Sequence, residues 1–266
     1  MLSGATQCST IVAGVLFALP ALAQPAWVAV TDLRAVSVSA ATAGEQQAAS
    51  GVPAVPFQDF DADLTASAHG EGDSIAARAV QSSSVTPNVA RATGLVSVVG
   101  EVLAGRLASA QAASTFLITI QLDEPATIRL SGSLVPGQVV SPGAILRREG
   151  SGLALAFSSA SDPVFSTTRR LEPGRYFVGA FATLSVGLSD QTRSVDEAGS
   201  YAVEIVTLCG ADFNADGFVD FFDLDSFLGC FEGGACPGDL TADVNADGFV
   251  DFFDLDAFLA EFELGC

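Results

Sequence analysis

The chain has 266 residues and a net charge of −20, from 31 acidic side chains against 11 basic ones, all of them Arg. That sign excludes nucleic-acid binding as its main business, because phosphate recognition needs a cationic surface. Hydrophobic residues at 49% and charged residues at 16% suffice for the core of one domain of about 150–200 residues plus a small module, and the single His leaves no ordinary hydrolytic centre in view.

The first element in chain order is a short apolar run, Ile11 to Leu22, ending in Ala21-Leu22-Ala23, a small-x-small cleavage pattern. It is shorter than the roughly 20 residues a membrane span needs. Residues 1–23 therefore read as a secretory signal peptide that carries Cys8 away, and the product is expected to be secreted, outside the cell or at its surface. Charge and cysteine both break near Leu208. Residues 208–266 hold 14 Asp/Glu and no basic residue, whereas residues 1–207 hold 17 acids and all 11 Arg. Cys209, Cys230, Cys236 and Cys266 lie beyond the break, an even number suited to an oxidising compartment. The expected domains are thus 24–207 and 208–266.

From Ala26 onward the apolar period is two. Phe116, Ile118, Ile120 and Leu122 alternate with smaller or polar residues, as do Ile128 and Leu130, then Leu153, Leu155 and Phe157, then Tyr176 and Val178, then Tyr201, Val203 and Ile205. Such alternation buries one face of each strand. Pro136-Gly137, Pro142-Gly143 and Pro173-Gly174 mark turns between runs. The reading is an antiparallel β-sandwich or jelly roll. Gly94 to Ala113 fits strand or helix equally. Chemistry here is thin: Asp59, Asp61 and Asp63 alternate, but Leu64 stands where a cation loop wants Gly, so a solvated strand edge is expected. His69 lies in a small-residue turn. Trp27 sits too near the cleavage site to build a sugar platform, and Tyr176 and Tyr201 read as core.

The strongest signal lies in the last sixty residues. Residues 211–232 recur at 242–263 with 18 of 22 positions identical and a period of 31. Each copy carries D-x-N-x-D-G-x-x-D-x-x-D. The first places Asp212, Asn214, Asp216, the Phe218 carbonyl, Asp220 and Asp223 at loop positions 1, 3, 5, 7, 9 and 12, with Gly217 at the sharp turn. The second places Asp243, Asn245, Asp247, the Phe249 carbonyl, Asp251 and Asp254 there, with Gly248 at the turn. This is the oxygen-ligand spacing of an EF-hand calcium loop, and hard oxygens without Cys or His favour Ca²⁺. Two bound Ca²⁺ ions would offset four of the fourteen negative charges. Val219 and Val250, at position 8, are placed to pair as a short ribbon between loops.

One helix-compatible segment follows each loop, and Gly210-Ala211 and Thr241-Ala242 leave no room for a helix before it. This duplication of a loop and one helix, with Asp at position 12, resembles dockerins, calcium modules that plug exported proteins onto cohesin receptors. Cys209-Gly210 and the terminal Gly265-Cys266 make it similar to the group called GC-type dockerin domains. The resemblance covers residues 208–266 only. It implies a cohesin-like partner and association with polysaccharide breakdown. Dockerins often carry a hydroxyl pair at loop positions 10 and 11; here Phe221-Phe222 and Phe252-Phe253 stand there. On a helical wheel Phe221, Leu224, Phe227, Leu228 and Phe231 form one core stripe, while Phe222 and its mate Phe253 point away. Those two are candidates for a docking patch, with packing against the sandwich as the alternative. Four Cys allow three pairings; Cys209–Cys266 clasping the module ends and Cys230–Cys236 closing the connector are favoured.

The functional expectation is an exported, non-catalytic sandwich carried on a two-calcium docking module. The alternative is a part in polysaccharide degradation, as a carbohydrate-binding sandwich or a glycoside hydrolase. Asp123, Glu124, Glu172 and Glu204 are available carboxylates, but no spacing selects a catalytic pair.

Overall fold

The computed structural model describes residues 27–150, 154–189, 193–214, 216, 218–237, 240–245 and 247–264. The expected signal peptide, Cys8, Leu153, Gly217 and Cys266 lie outside the described residues. Thirteen strands and two helices follow in order: β1 (Val28–Asp32), β2 (Ala35–Thr42), β3 (Gln46–Gly51), β4 (Phe60–His69), β5 (Ser74–Thr86), β6 (Val89–Val102), β7 (Ala108–Leu122), β8 (Ala126–Val135), β9 (Gly143–Arg148), β10 (Ala154–Ser158), β11 (Val164–Leu171), β12 (Gly174–Leu188), β13 (Arg193–Leu208), α1 (Phe221–Phe231) and α2 (Phe252–Leu264). The strands form two antiparallel sheets. One runs β10-β9-β12-β7-β2-β3, with β1 also on β7; the other runs β11-β8-β13-β6-β5-β4. The chain is a mainly β molecule whose sheets pack face to face.

The alternation is realised as read. Phe116, Ile118, Ile120 and Leu122 of β7 are fully buried, as are Ile128 and Leu130 of β8 and Tyr201, Val203 and Ile205 of β13. The ambiguous stretch from Gly94 to Ala113 resolves as strand: it is the end of β6, a turn at 103–107 and the first half of β7. Inward positions there are Val96, Val98, Ala108, Ala110 and Ala112. The small side chains leave little hydrophobic contrast with the outward Ser109, Gln111 and Ala113, so the period is hard to see in the letters alone.

Polar groups tie the two sheets together. Gln81 on β5 is wholly buried, and with its amide oriented by the surrounding acceptors it donates across the core to the carbonyls of Ala35 and Thr115, at 3.1 and 3.0 Å. Ser114 on β7 and Tyr201 on β13 share a buried hydrogen bond of 3.1 Å. Tyr201 needs room, which Gly94 supplies: a Cβ at that position would strike the Tyr201 ring and the Ser114 hydroxyl. Burial, set against the Ser114 hydrogen bond, pushes the Tyr201 phenol up to about 12. Tyr176 is also raised, by burial foremost.

β1 and β2 lie end to end along β7, and the chain shifts between them at Leu33-Arg34. Arg34 is buried there. Its guanidinium bonds both Asp32 oxygens at 2.9 and 2.6 Å, the Gln58 carbonyl at 2.7 Å and the Ser83 hydroxyl at 3.1 Å. Asp32 in turn accepts from the N–H of Phe57, a residue at φ 64°. Burial raises the Asp32 carboxyl, and the bonds from Arg34 and Phe57 outweigh it and hold the group below its usual range.

Asp32→Asn is expected to cost about 3–5 kcal/mol, because it leaves the buried guanidinium uncompensated. The pair's contribution is present above roughly pH 4, where the unfolded carboxylate is ionised. It is lost as pH falls through the lower folded value, so the melting temperature of the variant should fall less on acidification than the parent's. At the alkaline end both tyrosines have raised values. Tyr201 should therefore stay un-ionised through pH 10, with stability falling between about pH 10 and 12; free ionisation of the Tyr201 ring at pH 10 in folded protein would contradict the burial account.

Candidate functional site

The acidic segment leaves the sandwich directly from β13, with Cys209 next after Leu208. It builds its own small core, separate from the sandwich core. Phe213, Phe227, Val244 and Phe258 are buried in it, with Leu224, Leu228, Phe231, Leu255 and Phe262 packed around them. Phe227 and Phe258, equivalent in the two repeats, stack with centroids 4.3 Å apart and planes 1° from parallel. Phe213 meets both rings edge-on. Phe221 lies near Phe262, at 6.5 Å. As the residue number rises along α1 it falls along α2, so the helices run antiparallel.

The two loops share five equivalent side-chain bonds. In the first, Asp223 is fully buried and its two oxygens accept from the N–H groups of Asn214 and Asp220, each at 2.9 Å. In the second, Asp254 is fully buried and accepts from Asn245 and Asp251 at 3.1 and 2.9 Å. Asn214 accepts from Asp216 N–H at 2.8 Å, and Asn245 from Asp247 N–H at 2.9 Å. Asp216 accepts from Phe218 N–H and Asp247 from Phe249 N–H, both at 2.9 Å. Asp220 and Asp251 begin the helices, accepting from Phe222 and Phe253 N–H at 2.8 and 2.9 Å. In α1 this is a full capping box between Asp220 and Asp223. Asp243 accepts from Asp247 and Gly248 N–H at 3.1 and 3.0 Å. Gly248 has φ 92°, the left-handed turn that position 6 requires. Asp212 is almost wholly buried.

Asp216, Asp220, Asp223, Asp243, Asp247, Asp251 and Asp254 are thus turned toward loop amides. Among the described residues no group of three or more His, Cys, Asp or Glu side chains converges as a metal-holding cluster. Asn side chains and backbone carbonyls supply a third of each predicted donor set. A carboxylate oxygen accepting one N–H retains a lone pair. The donor set is all hard oxygen, so its chemistry fits a Ca²⁺ ion.

Two expectations are corrected. Phe221 is not in the core stripe: it is 79% exposed. It stands at the first helical position, a turn and a half before the Phe227–Phe258 crossing, where the opposing helix offers only the oblique contact with Phe262. Val219 and Val250 form no ribbon: neither residue is in a strand or bridge, and Val250 is half exposed. Phe222 and Phe253 are exposed and do not pack against the sandwich. Cys230 and Cys236 are bonded, their Cα atoms 4.6 Å apart. Cys209 is disulfide-bonded as well; its expected partner lies outside the described residues.

Sequence reasoning missed the basic surroundings of loop one. Arg129 of β8 lines an open recess of about 540 Å³ with Leu208, Asp212, Asp216 and Phe218. Arg170 of β11 lines a second, narrow recess with Asp212, Phe213 and Leu240. The strands carrying these Arg pair next to Leu208, a juxtaposition that no local pattern announces.

On the sandwich, Asp63 is an exposed partner of Arg78 on edge strand β4, the solvated edge expected. His69 is exposed, its backbone bonded to Glu45 and Thr42. Trp27 is buried. Across the outer face of the second sheet runs an open groove of about 470 Å³, lined by Asp59, Asp61, Ser82, Arg91, Ser133 and Glu204 among others. Glu204 is paired with Arg91. Asp123 and Glu124 in the β7–β8 turn and Glu172 in the β11–β12 turn lie at the end where the acidic segment leaves. Glu204 is four residues back along β13, about 13 Å away, so the structure does not gather the four carboxylates.

No family model matches the chain, and no curated protein matches it. Among solved structures it is similar to TmCBM61 in complex with beta-1,4-galactotriose, at 9% identity over 42% of this chain and 71% of that one, with a TM-score of 0.19. A likeness at that score carries no argument about ligand or activity.

Asp223→Asn and Asp254→Asn test the loop anchors. An amide presents one acceptor oxygen where the carboxylate presents two, so one loop N–H loses its partner. We expect a loss of about 1–2 kcal/mol per loop and faster hydrogen exchange at Asn214 or Asp220 in the first variant, at Asn245 or Asp251 in the second.

Proposed function

We propose that residues 208–266 are a dockerin-like module that binds two Ca²⁺ ions and attaches an exported, non-catalytic sandwich to a cohesin-like partner outside the cell. The observation that carries the reading is that the same five backbone-to-side-chain bonds recur in both loops, each with oxygen donors at positions 1, 3, 5, 7, 9 and 12 and a buried carboxylate locking position 12 to positions 3 and 9. Asp212, Asn214, Asp216, the Phe218 carbonyl, Asp220 and Asp223 would hold one ion; Asp243, Asn245, Asp247, the Phe249 carbonyl, Asp251 and Asp254 the other. The ion's role is to neutralise carboxylates crowded in one loop and to fix the start of the helix after it. The Cys230–Cys236 bond fits an oxidising compartment. Phe222 and Phe253 are the residues assigned to the partner.

The open groove on the second sheet favours a second reading, in which the sandwich holds a carbohydrate chain against its hydroxyls and carboxylates. A glycan array with the full chain and with Glu204→Gln addresses it; loss of a sugar signal in the variant would support that role.

The deciding experiment is a calorimetric Ca²⁺ titration of the full chain with disulfides intact, followed by thermal unfolding. Two bound ions are expected, one remaining in Asp216→Asn and one in Asp247→Asn. Each site should add about 2.7 kcal/mol of stability at a hundredfold excess of Ca²⁺ over its Kd. A flat titration with unchanged melting would overturn the module's assignment.

A further inference from the structure

Resting on the docking reading, the exposed rings specify what kind of surface is docked. Six phenylalanines, three in each repeat, stand in water at the head of the two helices. Phe218 and Phe249 are each 73% exposed, Phe221 and Phe252 79%, Phe222 and Phe253 70%. The identical values show that both repeats present the same triad. No other exposed large hydrophobic of the described residues is aromatic except Phe181, at 43%. Because the helices are antiparallel, the triads sit at opposite ends of the pair, about 15 Å apart along the axis. Leaving bulky rings in water costs solubility, and the described surface offers the module no cover for them. Together they present roughly 900 Å² of aromatic surface, taking about 200 Å² per ring. A partner that spans both triads would thus find slightly more than the ~800 Å² each partner buries in a specific interface.

The rim decides among occupants. The module holds 14 acids and no basic side chain. Two Ca²⁺ ions would lower −14 to −10, so the loaded module is still strongly anionic. Asp225 and Asp256, exposed beside the rings, are outside the donor sets and keep their charge. A second copy would bring the same charge against itself, and an anionic membrane would do likewise. We infer that the two phenylalanine triads dock a protein face of apolar sockets rimmed by Lys and Arg.

The test uses the full Ca²⁺-loaded chain and three synthetic peptides as probes, read by fluorescence anisotropy at low and high salt. One alternates Leu and Lys in an amphipathic helix, the second replaces Lys with Glu, and the third keeps Lys but replaces Leu with Gly and Ser. We expect the Leu/Lys peptide to bind at least tenfold more tightly than either other, weakening with salt. We also expect at least a tenfold loss of its binding in the Phe221→Ala, Phe222→Ala, Phe252→Ala, Phe253→Ala variant, with unchanged circular dichroism as the folding control. Equal binding of the Leu-free cationic peptide, or undiminished binding by the variant, would overturn the inference, since charge alone would then explain attachment. Loaded protein that dimerises through these rings in sedimentation would overturn it too. A Ca²⁺ titration without peptide separates the two failures: bound Ca²⁺ with no Leu/Lys preference defeats only the partner class, whereas no bound Ca²⁺ defeats the docking reading beneath it.

Discussion

Two buried carboxylates, Asp223 and Asp254, organise everything beyond the sandwich. Each reaches back from the first turn of a helix and takes one backbone N–H from early in its loop and one from just before the helix. The same side chain therefore closes the loop and sets the direction of the helix. The helices so aimed meet at Phe227 and Phe258, and that stacked pair with Phe213 is nearly the whole core of the module. A core this small depends on the loops keeping shape, and the staple at Cys230–Cys236 helps to hold it.

The sandwich solves a different problem. Much of its interior is Ala, whose burial adds little per residue. Buried polar groups supply the specificity that bulk does not: Gln81 and the Ser114–Tyr201 pair bridge the sheets, and Arg34 holds the end of β1, the 57–58 turn and β5 in one relation. Such bonds contribute modestly when made and cost more when broken, so they select one sheet-to-sheet arrangement over its neighbours.

What could be read from the letters divides along the same line. The period-two runs around Phe116–Leu122 and Tyr201–Ile205 contrast large apolar with small polar side chains, and their burial follows. The strands built from Ala and Ser carry no such contrast, which is why 94–113 was readable as either element. Arg34 is unreadable as a core residue, because its partners Gln58 and Ser83 are 24 and 49 positions away. In the module, exact repetition exposed the loops, and departure from repetition singled out Cys230. The helical wheel misplaced Phe221 because a wheel records angle and not distance along the axis: the residue faces the partner helix but stands before the crossing. Arg129 and Arg170 beside loop one arise from strand pairing, which local pattern does not encode.

The attachment point has a mechanical consequence. The segment departs from β13, an inner strand held by β6 along Arg193 to Val206 and by β8 along Ser200 to Leu208. Ladder bonds lie perpendicular to the strand. A pull on the segment after Leu208 therefore loads both ladders in shear, many bonds sharing the force at once, where an edge strand would peel away one bond at a time. Any load applied through the residues after Leu208 thus enters the sandwich through the part of the sheet least easily unzipped.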